Sequence, residues 1–149
     1  MRVAMSVCSR RLLLAISLLA MAGIAASSVS LYHHYGSSRT SYCDLGENFN
    51  CDIVNRSTYS TVLGIPVALI GIIGYFGLLA LSTVYRSKAE TPILLLIASV
   101  AGLGFAIYLT YIEGFVLAAW CVLCLSSLAL IFSICVLSSL LVARTARNA

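Results

Sequence analysis

The chain has 149 residues, of which 61% are hydrophobic and 9% are charged. Soluble domains carry about 45–50% apolar and about 25% charged residues, so this composition excludes a soluble globular protein. Nine Lys and Arg against five Asp and Glu give a net charge of +4, which is too small and too scattered to form a nucleic-acid-binding surface. The composition therefore predicts an integral membrane protein that binds no nucleic acid.

Four apolar stretches are long enough to cross a bilayer, since about 20 helical residues span a hydrocarbon core of about 30 Å. They cover residues 12–31, 62–85, 93–112 and 117–143. Backbone hydrogen bonds have to be satisfied inside the lipid, and no stretch alternates as a barrel strand does. We therefore predict an all-α integral membrane protein, a single domain over residues 1–149. Its four transmembrane helices form a bundle, and a long extracytoplasmic loop at residues 32–61 joins the first two.

The basic residues predict the orientation of this bundle, because Lys and Arg are enriched on the cytoplasmic side. Seven of the nine flank predicted helix ends on one side, whereas Arg39 and Arg56 lie in the 32–61 loop. Both termini are therefore expected in the cytoplasm. An alternative is a cleaved signal peptide, since Arg10 and Arg11 precede the first stretch and small residues follow it. The charge distribution favours an intact, even-numbered bundle.

Four of the six cysteines fall on the predicted outer side. Cys43 and Cys51 lie in the loop, and Cys121 and Cys124 form a C-x-x-C motif at the outer end of the fourth helix. A bond between residues three apart on a helix closes a trivial loop and gains almost no chain entropy. The motif is therefore predicted to be a redox-active dithiol, with one thiol activated near a helix N-terminus.

Other uses of the nearby side chains are less favoured. A metal site could use the two loop cysteines with His33 and His34, but no usual finger spacing is present. The two histidines stand between tyrosines, as in an interfacial belt, and no metal is predicted. Cys8 and Cys135 are expected to behave as small buried hydrophobes. Glu113 is expected to be solvated or to snorkel at a helix end, which disfavours a transporter.

Two cysteine pairs suit an electron relay. The exposed pair would exchange with a soluble thiol protein, and a loop cysteine must visit the C-x-x-C because exchange passes through mixed disulfides. The membrane pair then needs a lipid-soluble acceptor of two electrons, and a quinone meets both requirements. The alternative from another class is a structural protein with four transmembrane helices, in which Cys43 and Cys51 form a loop staple.

The loop from Cys43 to Cys51, Ser57 after it, the run at residues 59–67 and the C-x-x-C resemble the vitamin K epoxide reductase family. More narrowly, they resemble its bacterial disulfide-forming members. The resemblance spans residues 43–124. It implies that Cys43 meets a thioredoxin-like partner and that Cys51 attacks the membrane pair.

The resemblance also implies roles at the membrane end of the relay. Cys121 would receive Cys51, while Cys124 would sit beside the quinone and react with it. Ser57 resembles the family's hydroxyl residue near the quinone, and an equal alternative is a cap for a short helix in the loop. The implied co-substrate is a quinone of the ubiquinone, menaquinone or vitamin K type.

Two departures from the family pattern bear on the substrate and the partner. The animal enzymes have a Thr-Tyr-Ala segment after the C-x-x-C, whereas residues 125–128 here are Leu-Ser-Ser-Leu. A vitamin K epoxide or quinone reductase of an endoplasmic reticulum membrane is therefore the alternative, and a bacterial cytoplasmic membrane is favoured. Many bacterial members carry a fused thioredoxin-like domain, which is not found in these residues. The expected partner is a separate thioredoxin-like periplasmic disulfide oxidoreductase.

Overall fold

Helices dominate the computed structural model, which describes residues 7–36, 44–47 and 49–147. Its α-helices are α1 (Val7–Tyr35), α2 (Cys51–Asn55), α3 (Val67–Thr83), α4 (Thr91–Ile112) and α5 (Val122–Arg147). A π-helical turn, Glu113–Leu117, continues α4, and a 3₁₀ turn covers Thr58–Ser60. Two antiparallel hairpins pair β1 (Asp44–Gly46) with β2 (Phe49–Asn50) and β3 (Thr61–Val62) with β4 (Ile65–Pro66). The predicted helical class is confirmed.

Three helices within the described residues are long and apolar enough to cross a membrane. They are Val7–Tyr35, α4 with its π-helical turn (Thr91–Leu117), and Val122–Arg147. The chain is therefore a multi-pass membrane protein. Helix α3 is also apolar but has only 17 residues. The fourth crossing thus stays a prediction.

Helix α3 begins at Val67 rather than at residue 62. The first residues of the predicted stretch form the β3–β4 hairpin instead. At its tip, Leu63 and Gly64 have φ of 53° and 81°, values that a right-handed helix does not accommodate. Hydropathy alone predicts one continuous helix here, because the hairpin and the start of α3 both consist mainly of apolar residues.

Helix α5 also begins later than predicted, at Val122 rather than at residue 117. The chain leaves the π-helical turn through Ala118, which has a left-handed φ of 50°. The Ala119 N–H then donates to the Glu113 carbonyl oxygen at 3.1 Å. This hydrogen bond ends the preceding helix, and the residues before Val122 become a separate connecting segment.

The long helices pack around a common core. Helix α1 contacts α3 and α5, and α4 contacts α5 and α3. The buried core residues are Leu13, Ile16, Ala20, Tyr75, Leu78, Leu95, Ile131, Ile134 and Leu141. Cys135 is half-buried, whereas Cys8 is exposed and its sulfur accepts a hydrogen bond from Arg144. The prediction of a buried hydrophobe is therefore wrong for Cys8, because α1 begins at Val7 and leaves Cys8 in its exposed first turn.

Gly23 of α1 lies close to Tyr75 of α3, and Gly23→Ala is expected to destabilise the protein. A Cβ atom there would lie 2.4 Å from Cδ1 and Cε1 of Tyr75. The ring is held because its hydroxyl lies 2.8 Å from the Ser127 hydroxyl and 2.9 Å from the Ser127 carbonyl oxygen. Overpacking of this kind costs about 1–3 kcal/mol. Thermal unfolding in detergent measures the loss.

Gly77→Ala is the matched control for this prediction. Gly77 also lies in an apolar helix, but a Cβ atom there would meet nothing within 4 Å. We expect this variant to unfold at the wild-type temperature or slightly above it, since alanine favours the helix. Equal unfolding temperatures for the two variants would contradict the close approach of α1 and α3.

Candidate active site

The end of β2 is hydrogen-bonded to the segment that precedes α5. Asn50 donates its backbone N–H to the Trp120 carbonyl oxygen at 3.2 Å. The Asn50 side chain then caps α2, because its Oδ1 accepts from the backbone N–H groups of Asp52 and Ile53 at 3.0 and 3.1 Å. Cys51, the first residue of α2, is thereby placed at the N-terminal end of α5.

Cys51 and Cys121 are buried in one small apolar cluster. Val54 and Ala119 complete its buried part, and Cys124 packs against it. Cys51 is disulfide-bonded, whereas Cys121 and Cys124 are free thiols. Cys43 lies outside the described residues. The fold thus brings together a loop cysteine and both cysteines of the C-x-x-C, which are separated by about seventy residues in the sequence.

The two cysteines of the C-x-x-C occupy different positions relative to α5. Cys121 immediately precedes α5 and lies between the two neighbouring membrane-spanning helices. Cys124 lies in the first turn of α5. A hydrogen bond with the Cys124 thiol lowers the pKa of Cys121, although burial and the charge of Glu113 oppose the shift. This direction agrees with the expectation that a thiol at a helix N-terminus is the more acidic of the pair.

A cavity of about 350 Å³ opens beside Cys124. Its walls are mainly apolar and include small residues of α3, among them Gly71 and Gly74. Cys124 and Ser57 both contribute to the wall, whereas Cys121 is fully buried in the cysteine cluster. Binding sites for small organic molecules typically measure about 300–1,000 Å³, so this cavity is large enough for such a ligand.

Asn55, at the end of α2, contributes a buried amide group to the cavity wall. Its Oδ1 accepts a hydrogen bond from the Ser30 hydroxyl at 2.8 Å. Its Nδ2 atom is buried and has no hydrogen-bond partner among the residues that the structure describes. Buried polar atoms are nearly always paired, so this amide is a candidate donor to a ligand oxygen. A single asparagine in a polar loop carried no signal for this role.

Glu113 is also in the wall and is only 2% exposed. Its Oε2 accepts a hydrogen bond from the Cys121 backbone N–H at 3.1 Å. The carboxyl group interacts with the Cys124 thiol as well. The expectation of a solvated or snorkelling side chain is therefore wrong, because the π-helical turn directs Glu113 toward the C-x-x-C. A lone acid eight residues before Cys121 was the available signal.

The vitamin K epoxide reductase family model matches residues 14–139. The chain belongs to the vitamin K epoxide reductase family. No curated protein matches it. Family membership makes this protein a membrane oxidoreductase, and the predicted relationship is confirmed over a longer part of the chain than the motifs covered.

Three further residues of this family member, His33, His34 and Ser57, lie near the junction of α1 and α2 or just after it. His33 is buried, and Nδ1 of His34 lies 2.5 Å from the Asn55 carbonyl oxygen. His34 therefore joins the C-terminal end of α1 to α2, and the interfacial position of the two histidines stays a prediction. The Ser57 hydroxyl donates to the Val54 carbonyl oxygen at 2.8 Å and makes no capping bond to the 3₁₀ turn.

The cavity has the properties that a quinone requires. Quinones serve as electron acceptors in the vitamin K epoxide reductase family, and their rings are apolar with two carbonyl oxygens. The cavity offers apolar walls for the ring, and the unpaired Asn55 Nδ2 supplies a donor for one oxygen. Cys124 supplies a sulfur atom in the same wall. The residues present therefore fit such a group.

Proposed function

We propose that this protein is a quinone-dependent thiol oxidoreductase of a bacterial cytoplasmic membrane. It crosses the membrane four times as a single domain, with both termini in the cytoplasm. Electrons pass from a separate thioredoxin-like periplasmic protein through Cys43 and Cys51 to Cys121 and Cys124, and then to a membrane quinone. The consequence is disulfide formation outside the cytoplasm.

The observation that carries this proposal is the arrangement of three cysteines between loop and cavity. Cys51 shares a buried cluster with Cys121, and Cys124 borders the cavity. A structural staple in the loop would have no need for a free dithiol on the path between that loop and an apolar cavity. The order loop cysteine, C-x-x-C, cavity is the order in which a relay must act.

The first half of the reaction is thiol–disulfide exchange. A thiolate of the partner opens the Cys43–Cys51 disulfide, and its second thiol releases a reduced loop pair. The Cys51 thiolate then attacks the sulfur of Cys121 in the Cys121–Cys124 disulfide, which releases Cys124 as a thiol. Cys43 resolves the mixed disulfide, and the loop pair is oxidised again.

The second half returns the membrane pair to its disulfide. Two electrons and two protons leave Cys121 and Cys124, and a quinone held in the cavity would accept them. Asn55 would hold a quinone through its unpaired Nδ2, and Ser57 borders the same cavity. The remaining walls are mainly apolar, which suits the quinone ring.

Reduced wild-type protein is expected to convert quinone to quinol when the two are mixed without oxygen. Ubiquinone and menaquinone analogues serve as acceptors, and quinol formation is followed by absorbance. Vitamin K epoxide as a third acceptor tests the alternative within the family, and we expect little turnover with it. One quinol for each disulfide formed in the protein is the predicted yield.

Protein alkylated at its thiols before mixing is the control and is expected to leave the quinone unreduced. Absence of quinol from unmodified, folded protein with every quinone would contradict the proposed activity. Such a result would favour the structural protein with four transmembrane helices. Turnover with the epoxide alone would assign the chain to the reductase branch of the family.

A further inference from the structure

Oxidation of a dithiol by a quinone requires proton transfer in a site that excludes water, and Glu113 is placed to perform it. Its Oε2 is held by the Cys121 backbone N–H at 3.1 Å. Its Oε1 is buried and makes no regular hydrogen bond within the described part of the chain. The carboxyl group interacts with the Cys124 thiol. One oxygen therefore fixes the carboxylate, and the other is left to react.

The local backbone explains why the carboxylate stays at this position. Glu113 begins the π-helical turn, and its carbonyl oxygen accepts from the Ala119 N–H at 3.1 Å. Side chain and backbone of Glu113 are thus both bonded to the segment that leads into α5. Single π-helical turns occur frequently at functional sites. The turn therefore holds Glu113 beside the C-x-x-C.

We propose that Glu113 is a catalytic base and acid, which accepts the proton of the Cys124 thiol and passes it to the quinone oxygen. This inference rests on the proposed function. Before the transfer, Glu113 is a carboxylate and Cys124 is a thiol. After it, Oε1 carries the proton and Cys124 is a thiolate with its electron pair available. The Cys124 S–H bond breaks and an O–H bond forms at Oε1.

The step balances with the overall reaction. Formation of the Cys121–Cys124 disulfide releases two electrons and two protons, and conversion of a quinone to a quinol consumes the same number. Glu113 carries one of these protons and ends as a carboxylate again. No oxidant other than the quinone and no further proton donor is needed for that proton.

Three other polar residues of the cavity wall are less suited to carry this proton. The Tyr75 hydroxyl is paired with Ser127, and the Ser57 hydroxyl donates to the Val54 carbonyl oxygen. The Asn55 side-chain amide is not a titratable group, so it neither accepts nor releases a proton. Glu113 is the only residue of the described cavity wall that carries a carboxyl group. We therefore assign the proton transfer to Glu113, the carboxyl group of this wall.

Glu113→Gln separates chemistry from packing. Glutamine keeps the size of the side chain and an oxygen for the Cys121 N–H, but it does not accept a proton. We expect kcat for quinone reduction to fall about 100-fold, the lower range for loss of a general acid or base. The quinone KM is expected to change less than about threefold, because ring binding is unaffected. Reduction of the C-x-x-C by a small dithiol checks that the variant is folded.

Glu90→Gln is the matched control, since Glu90 is an exposed acid at the start of α4 and makes no capping hydrogen bond. It is expected to keep the wild-type kcat. Glu113→Ala with added formate tests the chemical role directly, because formate can replace the missing carboxylate. We expect formate to raise kcat of this variant at least about tenfold. Chloride at the same concentration is expected to restore none.

Three results would overturn the assignment: a wild-type kcat in Glu113→Gln, a loss that lies wholly in KM, or no effect of formate on a folded Glu113→Ala. If the variants fail to fold, time-resolved infrared spectra of reduced wild-type protein mixed with quinone decide the question. A transient protonated-carboxyl band is expected, and its absence would refute the proposal. If wild-type protein reduces no quinone, the proposed function fails instead.

Discussion

Cys124→Ala is expected to eliminate quinone reduction with both a thioredoxin-like donor and a small dithiol. Cys124 borders the cavity, so its removal takes away the sulfur that delivers electrons to the quinone. A lone Cys121 thiol has no partner with which to form the disulfide product. Stopped-flow absorbance of the quinone measures the rate with each donor, and we expect a loss of at least about 1,000-fold, typical of removing a catalytic nucleophile.

Cys135→Ala is the matched control, because Cys135 lies in the same helix, is a free thiol and is half-buried. It is expected to reduce quinone at the wild-type rate, with at most a small stability loss from the missing sulfur. Cys8→Ala is expected to behave in the same way. Normal quinone reduction by Cys124→Ala with the small dithiol would show that the proposed order of the relay is wrong.

Cys51→Ala is expected to distinguish between the two donors. A bulky protein partner reaches the buried Cys121 only through the loop, because Cys121 is fully buried beside Cys51. Oxidation of the thioredoxin-like donor is therefore expected to fall below detection. A small dithiol can reach the membrane pair directly, and much of its quinone reduction is expected to remain. Cys43→Ala is expected to give the same pattern.

Two outcomes of the comparison between the protein donor and the small dithiol would contradict this prediction. Equal loss with both donors would mean that the loop pair is needed for the chemistry at the membrane pair and not only for transfer from a protein. Equal retention would mean that the partner reaches Cys121 without the loop. Cys121→Ala provides a further reference, since it removes the sulfur that Cys51 attacks and is expected to block both donors.

Hydropathy predicted where the chain is apolar but not where its helices begin. The stretch at 62–85 contains the β3–β4 hairpin before α3 starts at Val67, and the stretch at 117–143 contains the connecting segment before α5 starts at Val122. In both places, left-handed backbone at Leu63 and Ala118 interrupts the helix. Neither residue is a usual signal for that conformation. The excess length of the last stretch indicated a turn after Gly114, but no pattern located the residue at which either helix begins.

The sequence by itself determined the membrane class, the family and the pair Cys121 and Cys124. These follow from composition, from the length of apolar runs and from spacing along one helix, all of which are local properties. Only the tertiary structure decided that Cys51 packs against Cys121, that Asn55 keeps an unpaired amide hydrogen-bond donor in the cavity wall, and that Glu113 turns inward. Each of these depends on hydrogen bonds and packing between segments far apart in the chain, whose energies no local pattern records.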